Sequence, residues 1–504
     1  MSSSFQGLNR PLSTILRPSD PLLPRPPALV VIGAGPSGLT AAHDGLNCGA
    51  TVTVLEQTEK VGGISRTENY NGFRFDMGGH RFYTKSALVD TFWKEILGNN
   101  FLERKRLSRI FYRGRYFAYP LKPMDTFLKL GPVECIRVLC SVLWWKTFPH
   151  PQENTFEEWV TNRFGRRLFN TFFKTYTEKV WGIPCTELKA EWAAQRIKGL
   201  SLKTAVLSMF FRPGKAIRTL TDRFHYPRLG PGMMWEAVAK RIEERGGKVL
   251  LNSEVIRVET DAQRRITAVV FRQNGVEQRI EGTHFIASMP ITTLVKGISP
   301  SAPQHVLSAA DRLKYRDFLT VCLIIRRKRL FEDNWIYIHE PSVLVGRIQN
   351  YGNWSPDMVP DNSCSSLGLE YFCNKGDAVW SSSDADLIRR GGMELEKLGI
   401  ARASEVVDGC VFRVEKSYPV YDAGYRQHLD VLKDFVEEFE NLKMIGRNGL
   451  HRYNNQDHAM LTGMLAVRNL LKGERHDVWA VNSDMEYGEE VRDGSSTEAA
   501  STSG

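Results

Sequence analysis

Hydrophobic positions near the start of this chain gather into two short dense runs with a helix-spaced stretch between them. ALVVIGAG (28–35) reads as a buried strand, PSGLTAAHDGLNCG (36–49) as a helix that leaves on a glycine, and TVTVLEQ (51–57) as a second strand. Together they predict a βαβ unit. From about Leu121 to Phe211 the period turns helical and the residues aromatic, as in IRVLCSVLWWKTF, TFEEWVTNRFGRRLFNTFFKTY and LKAEWAAQRIKGLSL. EAVAKRIEERGGKVLLNSEVIRVET then gives a helix, a turn and a strand, and ITAVVFRQ, GVEQRIEGTHFIASM, DFLTVCLIIRR and NWIYIHE predict further strands. A last helix is expected from near Asp457 to Leu471. This order predicts an α/β fold, in which a Rossmann-like domain is interrupted by a helical insertion and followed by a strand-rich substrate domain. By residue, the expectation is a flexible Pro- and Ser-rich arm over 1–27 and a nucleotide-binding domain built from 28–120, 226–295 and 436–480. The helical insertion takes 121–225, the substrate domain 296–435, and a small, polar, disordered tail 489–504.

Composition narrows the class. The 504 residues are 42% hydrophobic and 25% charged, which suits a globular protein with a sizeable core and excludes disorder over most of the length. No apolar run approaches the ~18 residues of a spanning helix. The opening residues lack the apolar core of a secretory signal, so a cytoplasmic protein is expected. The eight cysteines include no C-x-x-C pair, which argues against a thiolate metal site, and no metal is expected. The net charge of +10 is spread along the chain and predicts no nucleic-acid stripe.

The glycines carry the first chemistry. Gly33, Gly35 and Gly38 form a G-x-G-x-x-G that follows an apolar strand and opens a helix. Gly33 permits the turn, Gly35 lets backbone approach a pyrophosphate, and Gly38 allows close helix–strand packing. Glu56 ends the second strand, where a carboxylate accepts ribose hydroxyls. Gly62 and Gly63 add a second glycine pair, and Gly78-Gly79-His80 a third turn carrying a histidine. Gly446 and the helix beginning at Asp457 and His458 supply a positive dipole near the cofactor. Val255, in the strand SEVIRVET, completes the expected cofactor contacts. The second glycine pair resembles that of FAD enzymes of the amine-oxidase type, and the cofactor expected is FAD.

Later motifs resemble the UDP-galactopyranose mutases, particularly the eukaryotic-type branch, within the amine oxidase and protoporphyrinogen oxidase-like superfamily. The matching residues are Phe117-Ala118-Tyr119-Pro120, the Tyr176-x-x-Lys179-x-Trp181 block, Trp192 and Arg196, and the strand ending at Arg326 with Trp335 and Tyr337 after it. Ser417-Tyr418-Pro419 and the stretch from Gly446-Arg447 to Tyr453 and His458 complete the set. The resemblance implies that Arg196 and Arg326 clamp a sugar-nucleotide diphosphate, and that Tyr119, Trp181, Tyr337, Tyr418 and Tyr453 surround it. It places Arg447 near flavin and substrate, and His80 against the flavin near N5. The implied activity interconverts pyranose and furanose forms of a nucleotide sugar through a reduced-flavin N5–sugar adduct, with NAD(P)H as external reductant. LSMFFRPGKAIRTL would serve as a lid. The other reading is an FAD-dependent oxidoreductase of the amine oxidase or protoporphyrinogen oxidase type. For that reading the run VLCSVLWW would touch a membrane or line a greasy channel; its alternative is one packed helix face. Peripheral membrane contact stays open, and the sequence gives no oligomeric state.

Overall fold

A computed structural model describes residues 26–190 and 223–481. Trp192, Arg196, the expected lid stretch, nearly all of the N-terminal arm and the polar tail lie outside the described residues.

Strand β1 (Ala28–Ile32) is apolar throughout and sits at the centre of a parallel sheet. Helix α1 (Pro36–Asn47) starts immediately after it with proline in its first turn, where the missing N–H has no intrahelical partner to lose. The sheet runs β20-β13-β1-β2-β9, with β2 at Thr51–Leu55, β9 at Lys248–Leu250, β13 at His284–Ala287 and β20 at Leu442–Met444. All neighbouring pairs are parallel. Three separate chain segments therefore bring their carboxyl ends to one edge, the place where open α/β sheets hold ligands. The long C-terminal helix Gln456–Lys472 packs along α1, and Gly463 permits the approach, since a Cβ there would lie 2.3 Å from the Ser37 carbonyl oxygen.

Two small antiparallel ribbons, β3 (Thr67–Tyr70) with β4 (Phe73–Asp76) and β5 (Phe101–Lys105) with β8 (Arg223–Pro227), lead away from this sheet. Between β4 and β5 lies α2 (Ala87–Leu97). A four-stranded sheet follows in the order β12-β11-β10-β14, with β10 at Ser253–Thr260, β11 at Ile266–Gln273, β12 at Val276–Glu281 and β14 at Ile298–Ser299.

The largest sheet has seven strands, β19-β15-β18-β17-β16-β6-β7. Its members are β6 (Ser108–Tyr112), β7 (Arg115–Ala118), β15 (Tyr315–Ile325), β16 (Trp335–Ile338), β17 (Arg347–Asn350), β18 (Ser365–Cys373) and β19 (Val406–Pro419). Strands β6 and β7 come from residues that the pattern grouped with the nucleotide-binding half. They join this sheet instead because β6 pairs in parallel with β16. Strands β15 and β18 are buried on both faces, which explains why they are mostly apolar rather than alternating.

The helical segment comprises α3 (Pro123–Leu130), α4 (Pro132–Thr147), α5 (Phe156–Leu168), a wider turn over Phe169–Lys174 and α6 (Thr175–Trp181). Helix α5 opens on a reciprocal cap between Thr155 and Glu158 and breaks at Gly165, whose φ of +77° excludes other residues cheaply. A Cβ at Gly165 would meet the Val142 amide at 2.9 Å, so α4 and α5 cross on that glycine. The packed-face reading of VLCSVLWW does not hold as a whole. Val142 is buried, but Leu139, Leu143 and Trp144 are exposed among the described residues.

Candidate functional site

At the edge formed by β1, β2, β13 and β20, the glycines shape a slot lined with backbone. A Cβ on Gly38 would fall 1.9 Å from the Gly33 carbonyl oxygen, so the turn closes on itself. Gly35 meets a different environment: a Cβ there would have only the Gly63 Cα, at 3.8 Å, within 4 Å. Gly62 ties the second glycine pair to the first by donating its N–H to the Ala34 carbonyl at 2.8 Å. This bare groove at the start of α1 is what a pyrophosphate needs, because backbone N–H groups and the helix dipole can reach it.

Glu56 is buried beside the slot. One carboxylate oxygen accepts from the Ala34 N–H at 2.8 Å and the other from the Thr58 N–H at 3.0 Å. With the Thr58 hydroxyl, which donates to the second oxygen at 2.8 Å, those bonds fix the carboxylate and leave the Ala34-bonded oxygen a lone pair for a ribose hydroxyl. Gly446, at φ +73°, donates its N–H to Thr462 Oγ1 at 2.9 Å. Asp457 and His458 are buried in the first turn of the C-terminal helix, where His458 Nδ1 accepts from the Asn455 N–H at 3.2 Å. Gln456 Nε2 reaches the Arg81 carbonyl at 3.4 Å and so joins that helix terminus to the His80 loop. Val255, half-buried on β10, lines a groove of about 290 Å³ with Met289 and Leu294. The glycine slot, the fixed Glu56 and the helix terminus fit a flavin dinucleotide.

His80 Nδ1 lies 3.2 Å from the Gly78 carbonyl oxygen. Burial, with the charges of Arg447 and Arg347, pushes its pKa down to about 3. The ring is therefore neutral at working pH, with Nδ1–H donating to Gly78 and Nε2 carrying a lone pair.

Behind the loop sits a cation the sequence reading missed. Arg347 on β17 donates from Nε to Glu370 Oε1 at 2.9 Å and from Nη2 to Oε2 at 2.5 Å, and Gln349 Nε2 donates to the same carboxylate at 2.8 Å. Glu370 is fully buried on β18. A Cβ on Gly79 would lie 2.8 Å from Gln349 Nε2, and one on Gly78 3.8 Å from Arg347 Nη2, so this pair packs directly on the His80 loop. Burial opposes the Arg347 charge, but Glu370 more than offsets it and holds the guanidinium pKa well above its usual value. The signal was a lone carboxylate, Glu370, inside the apolar strand SSLGLEYFC.

Arg326 does not belong here. It is exposed just beyond β15, its N–H bonded to the Glu405 carbonyl at 2.9 Å. Thr320 of β15 is the residue level with Glu370. Arg326 lies six residues further, about 20 Å along an extended strand. The expected clamp of Arg196 and Arg326 is thus corrected at its second member, while its first lies outside the described residues. Arg347 and Arg447 are the cations the described structure brings to His80.

The expected aromatic residues do converge, in two linked groups. Tyr337 contacts Tyr119 at 4.9 Å and Tyr176 at 5.4 Å between ring centroids. Tyr418 stacks on Tyr453 at 5.8 Å and meets Trp181 edge-on at 6.3 Å. Arg447 lies 4.7 Å from the Tyr453 ring and 5.4 Å from that of Tyr418. Its Nη2 also donates to the Asn454 carbonyl at 2.7 Å and its Nη1 to that of Ser417 at 3.1 Å. Arg447 therefore rivets two loops. Burial pushes the Tyr418 phenol up to about 12, with Arg347 pulling the other way, so it stays protonated. Lys179 has a structural job: Nζ donates to the Glu340 carbonyl at 2.8 Å and the Val345 carbonyl at 3.1 Å, pinning α6 to the β16–β17 turn. Burial lowers its pKa to about 8.

A dinucleotide cradle on a parallel sheet, opening toward a half-buried arginine and a wall of phenols, defines an FAD-dependent enzyme. The chain belongs to the flavin containing amine oxidoreductases, whose family model matches residues 36–470. An L-amino-acid oxidase of Sistrurus catenatus edwardsii is 34% identical over 120 residues, 21% of this chain and 23% of that protein. A probable UDP-galactopyranose mutase of Klebsiella pneumoniae is 29% identical over 171 residues, 32% of this chain and 43% of that protein. The chain thus spans less than half the length of each of these curated relatives. Among solved structures, reduced UDP-galactopyranose mutase superposes with a TM-score of 0.79 at 22% identity, over 92% of this chain and 99% of the other. A putative protoporphyrinogen oxidase from Exiguobacterium gives 0.66 at 16% identity, over 89% and 99%. At such identities these structures establish a shared fold. Among the described residues no helix is long and apolar enough to cross a membrane.

Proposed function

We propose that this flavoenzyme is a mutase of the UDP-galactopyranose mutase kind, acting on a small nucleotide sugar whose diphosphate is read by Arg347. The observation that carries this reading is the Arg347–Glu370–Gln349 group buried against the His80 loop. A cation held in a dry, phenol-lined cleft suits an anionic leaving group better than it suits an apolar amine or porphyrin-like substrate. Reduced FAD in the glycine cradle, with NAD(P)H as its external reductant, would supply the nucleophile for the anomeric carbon.

The protein's own residues do the rest. Glu370 takes Nε and Nη2 of Arg347, which aims the guanidinium and leaves Nη1 for a phosphoryl oxygen. The hydroxyls of Tyr119, Tyr337, Tyr418 and Tyr453 can donate to the remaining oxygens, and Trp181 backs Tyr418. His80, neutral, offers an acceptor at Nε2 without placing a second positive charge beside the flavin. The decisive experiment offers candidate nucleotide sugars to dithionite-reduced protein. Isomer formation with no net consumption of reductant supports the mutase; stoichiometric substrate oxidation with peroxide release overturns it in favour of an oxidase.

A further inference from the structure

Sixteen large apolar side chains are exposed among the described residues, and nine of them fall between Met124 and Phe148, eight on α3 and α4 and Phe148 directly after α4. Such concentration is unusual for a surface whose other exposed apolar residues are scattered singly. On α4 the residues that face the body are Cys135 and Val142. Val133, Ile136, Leu139, Cys140, Leu143 and Trp144, by contrast, fall within one arc of about 140° at ~100° per residue. Leu143 is 67% and Trp144 60% exposed, and Leu128 of α3, at 72%, extends the patch.

The rim of this arc is basic. On the helical wheel Arg137 and Lys146 fall just outside its two edges. Lys122, exposed, precedes α3, and Lys129 lies in its last turn. The carboxylates nearby are already engaged: Asp125 pairs with Lys129, and Glu134 with Arg167 and Arg137. An apolar stripe carrying Trp, flanked by cationic stems that can snorkel, matches the interface of an anionic bilayer. With 16 residues α4 is too short to span one and suits lying in its plane.

We infer that α3 and α4 dock the enzyme on an anionic lipid surface, with the α4 arc embedded and Arg137 and Lys146 at the headgroups. Leu130, at the end of α3, packs on the same apolar cluster as Tyr337, so the docking helices reach the wall of the cleft.

Cys140 provides the test, being the one exposed cysteine among the eight, all of which are described, and lying within the arc. An environment-sensitive fluorophore on the Cys140 thiol of the holoenzyme should brighten and shift to the blue on adding phosphatidylcholine vesicles containing phosphatidylglycerol. It should respond far less to phosphatidylcholine alone, and high salt should weaken the response. In co-sedimentation with the same vesicles, the double variant Leu143→Glu with Trp144→Glu should bind at least about ten-fold more weakly while keeping its flavin spectrum and melting temperature. A silent fluorophore overturns the inference. So does a double variant that binds like the parent, that melts early because the face is covered within the chain, or that dissociates a dimer detected by light scattering.

Discussion

Replacing the Arg347 guanidinium by an ammonium keeps the charge but removes the fork that grips both oxygens of Glu370. For Arg347→Lys we expect kcat/KM for the nucleotide sugar to fall about 100-fold, with the bound-flavin absorbance unchanged. Loss of flavin instead would place the arginine in the cofactor site. A second prediction concerns pH. Burial, together with the Lys179 charge, lowers the His339 pKa from 6.5 to about 3, and burial lowers that of His451 to about 4. Their neutral forms are favoured by folding, so this contribution is complete above pH 6.5 and declines as pH falls toward the folded values. Asp76, raised to about 7 by burial, acts in the opposite direction and offsets one histidine over part of that range. His339→Phe preserves the stack on Tyr176 and should flatten the acid limb by about 1.4 kcal/mol per pH unit between roughly pH 6 and 4. Urea titrations at several pH values measure it.

Single residues also show where the sequence could be read and where it could not. Gly33, Gly35, Gly38 and Glu56 all lie within one βαβ unit, Gly38 closing on Gly33 and Glu56 on Ala34, so their spacing alone pointed to the cradle. Arg326 and Arg347 differ by strand register, and only the pairing of β15, β17 and β18 reveals that Glu370 faces one and not the other. A motif aligned on an apolar strand ending in arginine carries no record of its level in the sheet.

For the elements, the glycines that let backbones touch are the points of leverage. Gly38→Ala would drive a Cβ into the Gly33 carbonyl, and we expect protein that purifies colourless or loses FAD on gel filtration. Gly165→Ala combines a left-handed φ with contact on the α4 backbone and should cost at least about 2 kcal/mol in chemical denaturation. Helices and strands with strong periodicity, such as Gln456–Lys472 and Tyr315–Ile325, were legible nearly to their ends. Helix α4 was legible as a helix but not as to which face looks outward, because periodicity fixes the width of an apolar stripe and not its direction.

At the scale of the molecule, charge and chain order matter together. The buried Glu370 offsets the Arg347 charge, so under the proposed function an anion would be drawn to the cleft by the aim of the guanidinium more than by net field. The parallel sheet takes its central strand from residue 28 onward and its edge strand β20 from residues 442–444, with Gly446 two residues beyond. No ribosome-bound nascent chain that stops short of Gly446 has a finished cradle. Cofactor capture must therefore wait until Gly446 has joined the sheet, and cells starved of riboflavin would be expected to accumulate apoprotein open to proteolysis at its unsupported glycine loops.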